Sequence, residues 1–495
     1  MLPQIISRAL LFVGACFFIS ASTHQLPKAS PNVVLIFCDD LGYGDLSCYG
    51  ATNYSTPTLD NMAKEGIRFT NFLVAQAVCS ASRAALMTGC YPNRVGISGA
   101  LMPWAEVGIN PDEETLAELL KKKGYKTGIF GKWHLGHHQE FLPLQHGFDE
   151  YLGLPYSNDM WPVGFDGQLV TDPKNNKFRY PVLPLIENNQ KVKEIRTLAD
   201  QDQLTTTYTE RAVSFIQQHK KGPFFLYLPH SMPHVPLGVS KKFKGKTEQG
   251  MYGDVISELD WSVSQVLKAL KNNGLDKNTL VIFTSDNGPW INFGNHAGST
   301  GGLKQGKGTS YEGGHRVPCI VRWKGVIPEG LVCNQLASTI DLLPTLVNLC
   351  GAPKPTRQID GVDIFALFQG KFTEKPRRQF YYYYQRNHLE AVRQDHWKLV
   401  VPHVSYQSYE GILPQNDGFP GGYNRDTIKT ALYDLRRDPG ERYDVQRQYP
   451  EVVATLQQIA EQAREDLGDD ITKRVGKNVR ASGKVVPKWG FLEKG

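Results

Sequence analysis

Short apolar runs alternate with longer amphipathic stretches along most of this chain. Val33-Val34-Leu35-Ile36-Phe37 is continuous and β-branched, the pattern of a strand buried on both faces. Thr56 and Pro57 supply a cap and a first-turn proline for a helix that Gly66 stops. Asp112 to Lys123 places Leu116, Leu119 and Leu120 on one face, acids first and lysines last. A strand over 125–130 follows. Helices over 205–218 and 256–270 are each followed by an apolar run, Phe224–Leu228 and Leu280–Thr284. This alternation predicts an α/β fold with a large, mostly parallel sheet flanked by helices. A polar stretch near 369–378 separates it from strand-like pieces at 379–384, 389–393, 397–401 and 431–435, then an amphipathic helix over 450–467. The expected division is a catalytic domain over 23–370 and a small C-terminal α+β subdomain over 371–495, an antiparallel sheet with a helix. Tyr381 to Tyr384 read as strand and interdomain packing rather than a ligand platform.

The first residues break the pattern. Arg8 precedes the apolar run Ala9–Ile19 and the small residues Ser20-Ala21-Ser22, a secretory signal over 1–22 that is too short to span a bilayer. The apolar run continues past Cys16, which argues against a lipoprotein cleavage site there. The expected location is secreted or periplasmic, or lysosomal in a eukaryotic host, where Asn53-Tyr54-Ser55 would be a glycosylation acceptor. A chain of 495 residues exceeds one compact core, and 41% apolar with 21% charged residues describes an ordinary globular protein. The net charge of +6 is spread out; it suits an anionic substrate and gives no nucleic-acid signature. No later segment reads as a membrane span. Cys38, Cys48, Cys90, Cys319, Cys333 and Cys350 show no zinc spacing, and their pairing is not readable.

Four predicted strands end in reactive residues. Val33–Phe37 leads to Cys38-Asp39-Asp40, the 125–130 strand to Gly131-Lys132-Trp133-His134, Phe224–Leu228 to His230 and His234, and Leu280–Thr284 to Ser285-Asp286-Asn287. In an open parallel sheet, ligands bind beyond the carboxyl ends of the strands, so these groups converge on one crevice. Asp39, Asp40, Asp286 and Asn287 form an all-oxygen set that suits Ca²⁺, with Mg²⁺ the alternative, and argues against zinc. If the strand continues past 130, Lys132 and His134 point to the same side. Lys307 sits in a glycine-rich loop, Gly306-Lys307-Gly308, where the backbone can approach a ligand closely.

The stretch Cys79-Ser80-Ala81-Ser82-Arg83-Ala84-Ala85-Leu86-Met87-Thr88-Gly89 carries the most specific signal. Small helix-forming residues place Cys79 near a helix start, where an anion is favoured, with Arg83 one turn in. The stretch resembles the signature of type I sulfatases, with alanine at 81 where many members have proline. Gly306-Lys307-Gly308-Thr309-Ser310-Tyr311-Glu312-Gly313-Gly314 and Leu432-Tyr433-Asp434-Leu435 with Asp438-Pro439-Gly440-Glu441 extend the resemblance over nearly the whole mature chain. It is nearest to the group containing arylsulfatase A and the N-acetylgalactosamine-6-sulfatases.

The resemblance implies an alkaline-phosphatase-like sandwich and hydrolysis of a sulfate ester. It implies conversion of Cys79 to formylglycine (3-oxoalanine) by a formylglycine-generating or anaerobic sulfatase-maturing enzyme, the aldehyde hydrate supplying the nucleophile. A divalent cation would be held by Asp39, Asp40, Asp286, Asn287 and the residue at 79. Arg83 would support the nucleophile, Lys132, Lys307 and Ser157 would bind the sulfuryl oxygens, His234 would protonate the leaving alcohol and His134 would accept the second hydroxyl proton. Trp161, Trp290, Asn292, His296 and Tyr311 lie in loops expected to rim the pocket, His296 as a substrate contact. The expected substrate is a sulfated carbohydrate or a small sulfate ester. The alternatives are a phosphomonoester or phosphodiester hydrolase of the same superfamily, whose metal sites are usually His-rich, and a glycan binder without turnover.

Overall fold

The computed structural model describes residues 30–485. The signal segment expected over 1–22 lies outside the described residues. Ten strands form the main sheet: β1 (Asn32–Cys38), β2 (Ile67–Phe69), β3 (Lys126–Phe130), β4 (Glu150–Gly153), β5 (Leu183–Glu187), β6 (Gln190–Ile195), β7 (Phe224–Pro229), β8 (Thr279–Ser285), β9 (Cys319–Arg322) and β10 (Leu331–Cys333). Their order is β10-β2-β9-β8-β1-β7-β3-β4-β5-β6. The central run β8-β1-β7-β3-β4 is parallel throughout, while β9, β5 and β6 pair antiparallel to their neighbours. All five central strands therefore present their carboxyl ends to the same edge.

The apolar run of β1 has a direct structural reason. Val33, Leu35 and Phe37 join one core layer, and Val34, Ile36 and Cys38 join the other. The first layer is covered by α2 (Cys79–Thr88), α3 (Leu116–Lys122) and α6 (Leu342–Cys350); the second by α1 (Pro57–Lys64), α4 (Leu204–Gln218) and α5 (Met251–Asn272). A strand covered on both faces has no polar side to alternate with. Two helices differ from the periodic reading. The 112–123 stretch becomes helical only at Leu116, because Thr115 and Glu118 form a reciprocal capping box there. The 256–270 helix begins earlier, at Met251.

The C-terminal sheet, β11 (Gln379–Tyr384), β12 (His388–Gln394), β13 (Trp397–Val400) and β14 (Ala431–Asp434), is antiparallel throughout. Helix α7 (Pro450–Leu467) packs Leu456, Ile459, Ala460, Ala463 and Leu467 against it. Leu73, Ala75, Ala85 and Tyr91 belong to the same core, so this sheet packs against the helix that starts at Cys79. Among the described residues, no helix is long and apolar enough to cross a membrane.

Candidate active site

Cys79 is the first residue of α2, and all ten residues of that helix are buried. Val78 precedes it in extended conformation. The Cys79 Sγ lies 3.4 Å from Asp39 Oδ1, just beyond the end of β1. Burial, reinforced by the Asp39 carboxylate, pushes the thiol well up from its ordinary value. As a thiol it is protonated and a poor nucleophile at neutral pH.

Three carboxylates and three fixed cations interlock around it. Arg83 donates through Nε (3.1 Å) and Nη2 (2.8 Å) to Asp286 Oδ2, and through Nη1 to the Lys132 carbonyl at 2.9 Å. Lys132 Nζ reaches Asp39 Oδ2 and donates to Ser157 Oγ at 3.0 Å. Lys307 Nζ lies 2.7 Å from Asp40 Oδ1 and 4.6 Å from the centre of the Trp290 ring. Burial alone would lower both lysines, but Asp39 and Asp40 hold Lys132 and Lys307 above their ordinary values. Asp286 moves the other way: burial and the Asp39 carboxylate outweigh Arg83 and push it up to about 7.

Local backbone geometry explains these positions. Strand β3 ends at Phe130, so the strand does not carry Lys132 and His134 to one side as extension would require. Instead Gly131 takes φ 138, where an added Cβ would lie 1.9 Å from the Pro229 carbonyl, and His134 takes φ 63. The turn still directs both side chains to the same crevice by a different route. His134 Nε2 donates to the Leu101 carbonyl at 2.9 Å, leaving Nδ1 buried and without a partner. Burial and nearby Lys132 hold this ring well below its ordinary pKa, so it is a neutral acceptor. His234 is arranged in mirror fashion, with Nδ1 donating to the Val235 carbonyl at 2.5 Å and Nε2 lying 3.6 Å from Asp40 Oδ2.

The residues fit a hard divalent cation. Oxygens of Asp39 and Asp40, the Cys79 sulfur and a His234 nitrogen all lie within 4.8 Å of one another. Asn287 donates through Nδ2 to Asp40 Oδ1 at 2.7 Å, which leaves its Oδ1 buried with no partner. A buried acceptor beside carboxylates lacks a positive group. Asp286 is more engaged than a free ligand, since Arg83 holds one oxygen and the Asp40 N–H donates to the other at 3.1 Å. With all three carboxyl groups ionised against three cationic side chains, the cluster is balanced. A dication would tip it to +2, which matches a sulfate monoester together with an ionised nucleophile.

The cluster forms the floor of a cavity of about 600 Å³ lined by Cys79, His134, Ser157, His234, Trp290 and Lys307. Asp39, Asp40, Arg83 and Asp286 lie behind that lining. Trp161 is packed in the core, Asn292 hydrogen-bonds the backbone of Gly421, and Tyr311 and His296 lie away from the cavity wall, His296 against the 417–418 turn. Sequence reasoning missed the opposite wall: Asp159, Tyr180, Tyr384, Arg386, Gln407 and Tyr423. The four tyrosines divide their roles. Tyr381 stacks on Tyr91, Tyr382 donates to Glu312, Tyr383 donates to backbone carbonyls of α7, and only Tyr384 faces the cavity.

A second buried charge network supports the Lys307 loop. Lys398 Nζ lies 2.8 Å from Glu441, 3.4 Å from Glu312 and 2.8 Å from the Ser310 carbonyl. Glu441 Oε2 accepts the Glu312 N–H at 2.6 Å, and Arg316 clasps the Glu312 carboxylate at 2.6 Å. Gln407 and Tyr409 both donate to the Lys307 carbonyl, at 2.6 and 3.0 Å.

Comparison with known proteins gives a consistent result. The sulfatase family model matches residues 31–352, and that for the C-terminal region of aryl-sulfatase matches residues 375–486. Human arylsulfatase A is 38% identical over 445 residues, covering 87% of each chain. Mouse N-acetylgalactosamine-6-sulfatase is 37% identical over 492 residues, covering 92% of this chain and 90% of its own. Among solved structures, the PsFucS1 sulfatase from Pseudoalteromonas sp. superposes with a TM-score of 0.78 at 28% identity, covering 89% of this chain and 90% of its own.

Proposed function

The chain belongs to the sulfatase family and is a sulfuric ester hydrolase, and from that premise we propose that it removes sulfate from a sulfated carbohydrate using Cys79 in its formylglycine form and a bound calcium ion. The carbohydrate reading is supported by the N-acetylgalactosamine-6-sulfatase relative and by a cavity that mixes aromatic and polar walls. Calcium is preferred over magnesium because Asp39, Asp40, Asp286 and Asn287 form a set rich in protein oxygens, whereas magnesium usually keeps several waters.

When present, the aldehyde supplies a nucleophilic hydroxyl and the cation lowers its pKa and polarises the sulfuryl oxygens. The chain's own residues do the rest. Arg83 fixes the Asp286 carboxylate and, through the Lys132 carbonyl, the turn that aims Lys132. Lys132, Ser157 and Lys307 offer donors from two sides to the sulfate oxygens, preorganised and water-poor, where such donors act most strongly. His234, with its Nδ1–H committed to Val235, has Nε2 free to carry a proton to the departing alcohol oxygen. His134 Nδ1, bare and neutral, accepts a proton from the nucleophile position so that the cycle can close.

The reading extends to biology beyond the site: export through the 1–22 segment, a maturing enzyme as partner, and a division into catalytic and C-terminal parts near residue 370. The observation that carries the mechanism is the buried, protonated Cys79 on the cavity floor among Lys132, Lys307, His134 and His234. A thiol there is inert, so the position calls for chemical conversion. Mass spectrometry of the tryptic peptide 69–83, from protein made with a maturing enzyme, tests it. The expected peptide is about 18 Da lighter than the thiol form. Only thiol, under conditions that convert another sulfatase, overturns the reading.

A further inference from the structure

The cavity above Cys79 opens into another. Asp159 and Tyr180 line both it and an adjoining cavity of about 620 Å³ formed largely by the 164–180 loop. The two chambers differ in charge. The first has Lys307 in its lining and Lys132 buried behind it. The ionisable groups of the second are Asp159, Asp166 and Asp172 against a single cation, Lys177.

Lys177 is already engaged: its Nζ donates to the Asp159 carbonyl at 2.8 Å and sits 5.1 Å from the Phe165 ring centre. Asp159 stands at the junction. Burial works against its ionisation, but His234, Lys177 and Lys307 keep its carboxyl below the ordinary range. Its Oδ1 is buried and has no hydrogen-bond partner. Asp166 and Asp172 are exposed, each accepting the N–H two residues ahead at 3.0 and 2.9 Å. The exposed Phe165 ring supplies flat apolar surface beside these acceptors, and Tyr180, stacked on Trp104, closes the wall.

Building on the proposed sulfate-ester site, we infer that the adjoining cavity is a second saccharide subsite that selects an uncharged neighbouring sugar. Aromatic faces pack the apolar side of a sugar ring, and carboxylates accept hydrogen bonds from its hydroxyls. Asp159 Oδ1 is enclosed, so this carboxylate acts on the chamber through its charge, while the exposed Asp166 and Asp172 offer the hydroxyl acceptors. The same carboxylates repel a uronic acid or a second sulfate placed there. The substrate class follows: a glycan whose sulfate is isolated between neutral residues, rather than a densely anionic chain. Asp159 is the specificity-determining group at the boundary.

The test uses the full, matured protein and two synthetic disaccharides. Both carry one sulfate on the same sugar; the neighbouring sugar bears a hydroxymethyl group in one and a carboxylate in the other. Wild type is expected to favour the neutral neighbour by about tenfold or more in kcat/KM at low salt, and less in 0.5 M salt as screening grows. Asp159→Asn and, separately, the exposed Asp166→Asn should each narrow that ratio by about threefold or more. Asparagine keeps the local turn at 166, and a ratio is insensitive to the amount of folded enzyme. Equal turnover of the two disaccharides by wild type, or a ratio that neither variant changes, overturns the inference. Nitrophenyl sulfate separates this from failure of the underlying reading. Turnover of it with a flat disaccharide ratio removes only the subsite. No turnover of it by protein with converted Cys79 removes both.

Discussion

The sulfate end and the alcohol end of this cavity are built in opposite ways. At the sulfate end the interlocked charges sit just past strand ends, on the first turns of α2 or on glycine-pinned turns. Arg83, Lys132, Asp39 and Asp286 are all 1% exposed or less. At the alcohol end, Tyr180, Arg386 and Tyr423 come from three separate loops and are half-buried or exposed. The first end has its charges interlocked by the fold. The second has freedom to vary without disturbing them. A reaction common to many esters needs the first arrangement, and discrimination among alcohols uses the second.

The sharpest way to break this comparison is at Cys79. Cys79→Ser should lower kcat by at least about a thousandfold on every sulfate ester, large or small, because no part of the alcohol end compensates for it. Steady-state rates on an aryl sulfate and on a sulfated oligosaccharide read this; retained multiple turnover on either removes Cys79 from the chemistry. Chelation of divalent cations should have the next largest effect, with activity lost on all substrates and recovered with calcium. Thermal unfolding should fall in parallel, by up to about 2.7 kcal/mol if the ion is normally at a hundredfold excess over its Kd. Unchanged activity and Tm after exhaustive chelation would contradict the cation site.

Lys307→Ala should cost about a hundredfold or more in kcat, again uniformly across substrates, and leaves buried Asp40 without its ion pair. Arg386→Ala sets the contrast. The side chain is exposed at the cavity mouth, so the expected loss is about tenfold or less, confined to KM for extended substrates and absent for a small aryl ester. A uniform kcat loss in Arg386→Ala would show that the two ends are not separable.

The smallest effect concerns the support of the sulfate end. His146 is fully buried, stacks on Trp133 between Lys132 and His134, and is pushed down to about 4 by burial. Its folded-state value lies below an unfolded value of about 6.5. The unfolded chain therefore binds the extra proton first, and stability is lost as pH falls from about 6.5 toward 4. His146→Phe should remove part of that loss. Denaturant unfolding at pH 5 and 7.5 should show a pH dependence smaller than wild type by about 1–2 kcal/mol.

Much of the sulfate end was legible because sequence adjacency does the positioning. Asp39-Asp40, Lys132-Trp133-His134 and Asp286-Asn287 each follow an apolar run directly, and parallel strands align such ends regardless of how far apart they lie in sequence. The alcohol end was not legible in the same way. Tyr384 sits in a strand whose other tyrosines pack the core, and alternation alone could not single it out. Arg386 and Tyr423 depend on where irregular loops cross, which no periodicity encodes. His296 and Asn292 are expected at the rim only from their place in a loop and from side chains that suit a sugar. The loop folds instead toward the 415–421 segment, which takes up Asn292 and faces His296. The clue available for Asp159 was its place two residues after Ser157, and a carboxylate beside an anion site is easily read as a turn acid.

The Glu441–Lys398–Glu312 network ties completion of the crevice to a segment distant in sequence. Glu441 lies beyond the C-terminal sheet, and the loop bearing Lys307 leans on it through Glu312 and Ser310. The crevice with Cys79 at its floor is thus complete only once the segment carrying Glu441 has docked. Once it closes, α2 is buried along its whole length and Cys79 is only 2% exposed. Anything that must grasp the Cys79 side chain therefore needs the crevice open, before that segment docks. The docking of a segment 134 residues further along the sequence than Lys307 thus governs access to Cys79.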